Sequence, residues 1–273
     1  MAYIELTVFL VGMFFILRWA WRIVQTIQRI YFGTHVTLET YGPKGSWAVV
    51  TGCTDGIGKA IALELASRGF NIALISRNID KLNATAKEVQ AKGVQTRIVV
   101  FDFSKDTSLG GYKEIAEKLK DLDVSVLANN VGMGTGGLEV TPELCCQQVA
   151  TNVYPMVLLT QELVRKMEER TDKRGMRSLI INLSSLSTIN PLPRMKHYGA
   201  TKTFNDYFSK SLYYELQSKG IDVLTVAPGY VATPLTGMTA NARKGVITAE
   251  QCAVGILDKA RSFATYGGTV HEV

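Results

Sequence analysis

Short apolar runs alternate with amphipathic stretches along most of the chain. Runs of five or six mostly apolar residues are typical of parallel strands that are buried on both faces. Such runs lie at 47–52, 71–76, 96–101, 124–129, 178–183 and 222–227, with a shorter one at 267–271. Helical patterns separate them, at 58–68, 79–91, 108–120, 141–166, around 198–202 and at 248–261. The alternation predicts an α/β fold: a doubly wound parallel sheet of about seven strands with helices on both faces.

The amino terminus has a different pattern. Residues 6–17 form an uninterrupted apolar or small run, and five further apolar residues, among them two tryptophans, extend it past Arg18 and Arg22. Twelve residues are too few to span a bilayer, but snorkelling arginines and interfacial tryptophans would let residues 2–24 do so. Basic residues follow the run, so the positive-inside rule places the rest of the chain in the cytosol. The alternatives are a helix that lies flat in the interface and one that packs in a core or a dimer.

These patterns divide the chain into three parts. We predict an amino-terminal membrane anchor at 1–32, a linker at 33–45 and a single domain at 46–273. The capping signals of two helices lie in that domain. Thr141 precedes a proline at the first helical position, and Thr248 with Gln251 forms a capping box.

Composition and charge exclude several function classes. The 273 residues are 47% hydrophobic and carry 30 basic against 24 acidic side chains, a net charge of +6. No basic stripe interleaved with aromatic residues occurs, so nucleic-acid binding is not expected. The four cysteines show no CxxC spacing, which favours a reducing compartment, and no metal site is predicted.

A glycine-rich turn follows the first predicted strand, in the stretch TGCTDGIGKA at 51–60. Strand, glycine turn and helix start together are typical of a dinucleotide site. Gly52 would permit the tight turn, Gly56 the approach of a pyrophosphate, and Gly58 close packing of helix on sheet. The intervening Asp55 and Ile57 are assigned to the same cofactor site. The alternative is a glycine loop without a ligand.

A tyrosine and a lysine stand four residues apart in YGATK, at 198–202. On a helix this spacing places both side chains on one face. The Lys202 ammonium would then favour the phenolate form of Tyr198, as would an oxidised nicotinamide nearby, and so lower the pKa of the phenol. The alternative is an ordinary amphipathic helix with one packed tyrosine and one exposed lysine.

Three further motifs occur in order with this pair: TGCTDGIG, NNVG at 129–132, and Ser185 thirteen residues before Tyr198. Together they resemble the short-chain dehydrogenase/reductase family, over roughly residues 45–235. The resemblance implies a Rossmann-type fold that binds a nicotinamide cofactor. It implies that Asp102 accepts a hydrogen bond from the adenine amino group and that Asn129 braces the sheet. The stretch expected to hold the nicotinamide carboxamide contains Pro228, Gly229, Val231 and Thr233.

The residues that end the second strand bear on the choice of cofactor. An acidic residue there would bind the ribose hydroxyls and repel a 2′-phosphate. This chain has Ser76 and Arg77 instead, and a guanidinium suits a phosphate. The sequence therefore favours NADPH/NADP+, with reduction as the cellular direction. The alternative for Arg77 is a surface charge without a ligand.

The resemblance also suggests catalytic roles. Tyr198 is the expected general acid towards a ketone oxygen, and Ser185 donates to the same oxygen as charge develops. Lys202 is expected to bind the nicotinamide ribose. Asn152 is expected to hold a water that relays protons to Lys202; the alternative for Asn152 is a helix-capping amide beside Pro155.

Several stretches resemble one membrane-attached branch of the family. They are TGCTDGIGKA, LISRN, NLSSLS, YGATKTF and PGYVATPL, together with the apolar amino terminus. This branch contains very-long-chain 3-oxoacyl-CoA reductases and 17β-hydroxysteroid dehydrogenases, which implies a lipid-like ketone as substrate and a location at the endoplasmic reticulum membrane. Elongase partners or a homodimer are compatible with this interpretation. The non-enzyme alternative is a catalytically silent membrane scaffold.

The region after the last motif is where the substrate is expected. Its apolar candidates, which could equally be plain packing residues, are Tyr230, Val231, Leu235 and Met238. Arg243 and Lys244 are candidates for a CoA phosphate or for a solvated loop. No further apolar segment or dilysine ending follows Val273, so we expect either a truncated sequence or a compact member of the branch.

Overall fold

The structure is a computed structural model that describes residues 2–32, 38–134, 140–239, 242, 244–263 and 269–270. Arg243 and most of the predicted strand at 267–271 therefore lie outside the described residues. The chain divides into two compact units, Met1–His35 and Val36–Val273.

The first unit is one long helix, α1, at Ala2–Phe32. Its segment Tyr3–Trp21 has 19 residues, a mean hydropathy of 1.7 and exposed side chains, so it is long and apolar enough to cross a membrane. An apolar helix of this kind fits membrane association.

The second unit is built on a parallel sheet. Its strands are β1 (Trp47–Thr51), β2 (Asn71–Ser76), β3 (Thr96–Val100), β4 (Val124–Asn129), β5 (Ser178–Leu183), β6 (Ile221–Val226) and the two-residue β9 (Thr269–Val270). Their order across the sheet is β3-β2-β1-β4-β5-β6-β9. Between them lie α2 (Gly56–Ser67), α3 (Ile79–Gln90), α4 (Leu109–Lys118), α5 (Pro142–Arg174), α6 (Lys196–Leu216) and α7 (Ala249–Phe263). Two short strands, β7 (Val231–Ala232) and β8 (Ile247–Thr248), pair beside the main sheet. The predicted doubly wound parallel sheet is confirmed.

Two hydrophobic cores cover the two faces of the sheet. One contains side chains of α2, α3 and α7, such as Leu65, Leu82 and Ile256. The other contains side chains of α4, α5 and α6, such as Ile115 and Leu163. Strands β2, β4, β5 and β6 are buried along their whole length, which explains why their sequences are continuous apolar runs rather than alternating ones.

The helix ends follow local capping chemistry. The Thr141 hydroxyl accepts a hydrogen bond from the Leu144 amide at 3.3 Å, so the predicted start of α5 is confirmed. The capping box is also confirmed, because Thr248 and Gln251 bond each other's backbone amides at 3.1 and 2.9 Å. Helix α5 runs beyond the predicted residue 166, to Arg174. The buried Arg170 in that last part keeps its charge by pairing with Asp123.

Part of the segment predicted as a linker, 33–45, packs in the second unit. A 3₁₀ helix at Leu38–Tyr41 places both of its end residues in the core. Tyr41 is fully buried, and its hydroxyl donates to Asp222 Oδ2 at 3.1 Å. A polar hydroxyl can be buried at this depth when it has such a partner.

The topology determines where a ligand can bind. All strands of the main sheet are parallel, so the loops that follow β1, β4, β5 and β6 share one edge of the sheet. The chain reverses its winding direction between β1 and β4, and ligands of open α/β sheets bind in the crevice at that point.

Candidate active site

The glycine turn after β1 is crowded against the loop after β4. Gly52 has φ of +62°, and a Cβ there would lie 2.9 Å from the Val131 Cα. A Cβ on Gly58 would lie 2.2 Å from Asn130 Nδ2 and 2.3 Å from the carbonyl oxygen of Gly52. The backbone therefore turns more tightly than any side chain would allow. Glycine at 58 serves the packing of α2 on this turn and on Asn130.

The start of α2 is available to an anion. Asp55 caps the helix, with its Oδ1 2.9 Å from the Gly56 amide nitrogen. Gly56 has φ of +51° and faces the Thr233 side chain, 3.1 Å from where a Cβ would be. The first turn of a helix leaves amide N–H groups without intrahelical partners, and such a turn beside glycines without side chains forms a cradle suited to a pyrophosphate.

Two neighbouring asparagines at the end of β4 hold this edge together. Asn129 donates from Nδ2 to Thr160 Oγ1 at 3.0 Å and to Asn182 Oδ1 at 2.9 Å. Asn130 donates to the carbonyl oxygens of Thr51 and Gly52, at 3.0 and 3.2 Å. Asn129 thus links β4 to β5 and α5, whereas Asn130 fastens the glycine turn. The NNVG motif predicts a role for Asn129 only, so the role of Asn130 is a finding of the structure.

Asn152 lies inside α5, one turn from Pro155, and is buried. Its Oδ1 accepts from the Met133 amide at 2.7 Å, and its Nδ2 donates to the Met133 carbonyl and to Thr201 Oγ1, each at 3.0 Å. The side chain therefore does not cap its own helix. It joins α5 to the loop after β4 and to α6.

Tyr198 and Lys202 occupy one face of α6, as the spacing predicted. The Lys202 Nζ lies 5.8 Å from the centre of the Tyr198 ring and donates to the Leu183 carbonyl at 2.9 Å. Ser185 follows β5, and its hydroxyl lies near enough to the Tyr198 phenol to affect the pKa of that phenol. The structure brings the predicted acid, its cation and the serine together at the carboxyl edge of the sheet.

The electrostatics of this pair differ from the expectation. Burial raises the pKa of the Tyr198 phenol, and the neighbouring Ser185 hydroxyl offsets only part of that rise. Burial also lowers the pKa of Lys202, to about 8. The protein alone therefore holds the phenol in its protonated form. The expected lowering was wrong for the protein alone, because loss of hydration outweighs a cation whose Nζ is turned towards a carbonyl.

One continuous cleft connects the glycine turn to these side chains. Its two adjoining parts share Ile57, Asn130, Gly132, Thr233 and Leu235 in their walls. The inner part is also lined by Ser185, Tyr198, Lys202, Pro228, Gly229 and Val231, and the outer part by Gly52, Asp55 and Gly56. Most of the predicted cofactor residues, and three of the four predicted catalytic residues, thus face the same space.

Four predicted cofactor residues lie outside this lining, Gly58, Arg77, Asp102 and Asn129, and so does the predicted catalytic residue Asn152. Arg77 is exposed just after β2, and Asp102 follows β3 at the same edge. Burial opposes the charge of Asp102. Hydrogen bonds from Ser104 and the charges of Arg77 and Lys105 nevertheless hold the pKa of its carboxyl below the ordinary value. Asp102 Oδ1 accepts from the Ser104 hydroxyl and amide, at 2.6 and 3.0 Å.

The expected substrate region contributes one side chain to both parts of the cleft. This is Leu235, which is 53% exposed. Val231 is buried in the inner wall, whereas Tyr230 and Met238 do not line either part. Leu235 is therefore the apolar candidate that the geometry favours.

A model of the short chain dehydrogenase family matches residues 46–244. That span is most of the chain and includes every motif described above. The chain belongs to the short chain dehydrogenase family. Family members are oxidoreductases that bind a nicotinamide cofactor, and the glycine cradle and cleft of this structure fit such a group.

Individual relatives carry two kinds of name. The very-long-chain 3-oxoacyl-CoA reductase of Mus musculus is 43% identical over 202 residues, which cover 71% of this chain and 62% of that protein. The inactive hydroxysteroid dehydrogenase-like protein 1 of Homo sapiens is also 43% identical, over 70% of this chain and 58% of that protein. The chain thus spans about three fifths of the length of these relatives.

Solved structures share the fold. A short-chain dehydrogenase from Sphingobium yanoikuyae, in complex with NADPH, aligns with a TM-score of 0.68 at 26% identity. The alignment covers 78% of this chain and 83% of that one.

Proposed function

We propose that this chain is an NADPH-dependent carbonyl reductase that converts a 3-oxoacyl-CoA to a 3-hydroxyacyl-CoA. One observation carries the proposal: Ser185, Tyr198 and Lys202 face the same cleft as the glycine turn. A relative named as inactive is as similar to the chain as one named as a reductase. The presence of these side chains therefore weighs more than overall similarity, and it argues against a silent membrane scaffold.

The side chains divide the work of reduction. When bound, the reduced nicotinamide supplies a hydride to the carbonyl carbon. Tyr198, which is protonated because burial raises its pKa, donates its proton to the carbonyl oxygen. The Ser185 hydroxyl donates a hydrogen bond to the same oxygen and stabilises the negative charge that develops there. Lys202 places a cation beside the phenol and stabilises the phenolate that remains after proton transfer.

The end of β2 supports NADPH over NADH. The strand ends at the polar residue Ser76, whose hydroxyl is 3.1 Å from that of Thr54. Arg77 follows, so the end of the strand carries a cation and no acidic residue. A guanidinium there suits a 2′-phosphate. The complex of the Sphingobium protein with NADPH agrees with this choice.

The lipid substrate class rests on relatives and on α1. Several relatives are named very-long-chain 3-oxoacyl-CoA reductase. A membrane helix at the amino terminus would hold the enzyme where such lipids are made. We therefore place it at the endoplasmic reticulum membrane, with the catalytic unit in the cytosol and elongase partners or a second copy beside it. Ketones of steroids are the second candidate, because other relatives are named hydroxysteroid dehydrogenase-like.

The deciding experiment compares two classes of substrate, and it compares the wild type with the variant Tyr198→Phe. The full chain, purified in detergent, is given NADPH with 3-oxoacyl-CoA of several lengths or with steroid ketones, and NADPH oxidation is followed. Tyr198→Phe should lower turnover about 10²–10⁴-fold while NADPH binding, measured by fluorescence, is kept. Removal of the hydroxyl takes away the proton but little of the packing.

Three results would contradict parts of the proposal. Wild-type turnover in Tyr198→Phe would remove the acid assignment. Turnover of steroid ketones alone would move the substrate to the second candidate. NADPH binding without oxidation by any ketone would favour the scaffold.

A further inference from the structure

A chain of hydrogen bonds leads from the loop after β4 to the backbone of the predicted acid. Asn152 bonds both the amide and the carbonyl of Met133, so its side-chain amide pairs with that residue as a neighbouring strand would. Its remaining N–H donates to Thr201 Oγ1 at 3.0 Å. Asn152 is 1% exposed, so these bonds are shielded from bulk solvent.

Thr201 completes the connection. Its hydroxyl accepts from Asn152 and donates to the carbonyl oxygen of Tyr198 at 2.8 Å. The residue is 4% exposed, and both hydrogen-bonding roles of its hydroxyl are used inside the protein. A second bond, from Asn205 Nδ2 to the Asn152 carbonyl at 3.0 Å, ties the next turn of α6 to the same place.

The loop at the other end of the chain of bonds borders the reaction space. A Cβ on Gly132 would lie 3.3 Å from Asn152 Oδ1 and 3.5 Å from the Lys202 Nζ. A Cβ on Gly134 would lie 3.8 Å from Cε2 of the Tyr198 ring and 3.5 Å from Leu235 Cδ1. Residues 132–134 thus form the wall that faces the phenol and the ammonium.

We propose that Thr201 is a positioning residue: through Asn152 it fixes the first turn of α6, and with it the Tyr198 phenol, against the wall at 132–134. Thr201 touches neither the cleft nor the reacting atoms, so its effect passes through Tyr198. The inference rests on the proposed function, because the phenol position matters for proton transfer to a bound ketone. Displacement of a catalytic group by about 1 Å can lower a rate about 10²-fold.

The same helix offers a matched control. Thr203 also donates its hydroxyl to a backbone carbonyl of α6, that of Gly199 at 2.9 Å, but it is exposed and makes no bond to Asn152. Thr→Val keeps the volume and removes the hydroxyl at either position. Thr201→Ser keeps the hydroxyl, and therefore tests whether the two bonds themselves matter.

The test measures Thr201→Val, Thr201→Ser and Thr203→Val in the full chain, with kcat referred to the number of NADPH-binding sites. Thr201→Val should lower kcat about tenfold with KM within about twofold of wild type, whereas the other two variants stay near wild type. Amide hydrogen exchange at 198–202 should be faster in Thr201→Val only. This second measurement needs no substrate.

The contrary results are distinct. Wild-type kcat and exchange in Thr201→Val would overturn the inference, as would a Thr201→Ser variant as slow as Thr201→Val. A loss of NADPH-binding sites that accounts for the whole loss of rate would show a structural role only. Absence of turnover in the wild type would instead reject the proposed function, and exchange would still decide whether Thr201 fixes the first turn of α6.

Discussion

At the amino edge of the sheet, where the strands begin, the buried charges are paired. At the carboxyl edge, where the strands end, the buried cation of Lys202 is not. Asp222 is 1% exposed and accepts from Arg177 Nε and Nη2, at 2.9 and 2.5 Å, and from the Tyr41 hydroxyl. At the other edge, Lys202 is buried and donates to a backbone carbonyl. It takes part in no ion pair of the described residues.

The paired charge contributes to the stability of the fold, whereas the cation without an ion-pair partner is suited to catalysis. A buried charge with a partner is retained in its charged form and fastens the elements that supply the pair. A buried cation without a carboxylate is poorly stabilised, as the lowered pKa of Lys202 records. Such a group can respond to charge that develops on a neighbour. Groups in clefts whose pKa is shifted from the ordinary value are therefore typical of functional sites. We therefore expect mutations at the two edges to affect different properties.

Lys202→Met should have the largest effect on activity. The variant keeps an unbranched side chain of similar length but removes the cation that stabilises the Tyr198 phenolate. We expect kcat to fall about 10²–10⁴-fold. Lys210→Met is the control, since Lys210 lies on the same helix and pairs with Asp206 outside the cleft. Steady-state kinetics of both variants would show the contrast, and equal losses would contradict it.

The stability of Lys202→Met relative to wild type should depend on pH. The pKa of Lys202 is lowered by burial to about 8, from an ordinary value of 10.5, so its charged form disfavours folding. This penalty is fully present below pH 8 and disappears as pH rises towards 10.5. Relative to wild type, Lys202→Met should gain most in free energy of unfolding below pH 8 and lose that gain above it. Urea titrations at pH 7 and 10 measure this, and a gain that is independent of pH would be inconsistent with an unpaired lysine.

Arg177→Met should have the largest effect on stability. It leaves Asp222 buried with only the Tyr41 hydroxyl as partner, which should cost about 3–5 kcal/mol. Arg174→Met is the matched control, because Asp123 keeps Arg170 at 2.9 Å and Arg174 itself is half exposed; its loss should stay below about 1 kcal/mol. In urea unfolding the two variants should separate clearly, while kcat per folded molecule stays the same. Similar losses would mean that the amino edge does not depend on its buried pair.

Local patterns in the sequence were sufficient to predict most of the sheet. Strands β2, β4 and β5 have the predicted ends, because each is a continuous apolar run closed by polar or glycine residues. The end of α5 was missed although a local signal marks it, the left-handed Gly175 with φ of +63° directly after Arg174. The burial of Tyr41 was missed because it depends on an acidic partner distant in the chain, Asp222. Spacing within one element carries no information about such a partner.

The site shows the same limit. Gly52, Tyr198 and Lys202 could be singled out because their spacing within one turn or helix has a direct physical meaning. Asn130, Asn182 and Thr201 could not, since each makes a bond to a residue that is 27 to 79 positions away. The raised pKa of Tyr198 was also missed, because burial of a phenol is a property of the packed protein and not of its neighbours in sequence.

Arg77→Asp should have the smallest effect, and it tests the exposed cation at the carboxyl edge. Among the described residues Arg77 joins no ion pair, in contrast to Arg97 on β3, which holds Asp121 at 2.8 Å. If Arg77 is kept for a 2′-phosphate, the aspartate should raise the Kd for NADPH about 10- to 100-fold and leave that for NADH unchanged or lower. Arg97→Asp reverses the same charge on the same sheet and should alter neither Kd. Fluorescence titration with both cofactors decides the matter: an equal loss of NADPH and NADH in Arg77→Asp would show that this guanidinium contributes only general positive charge.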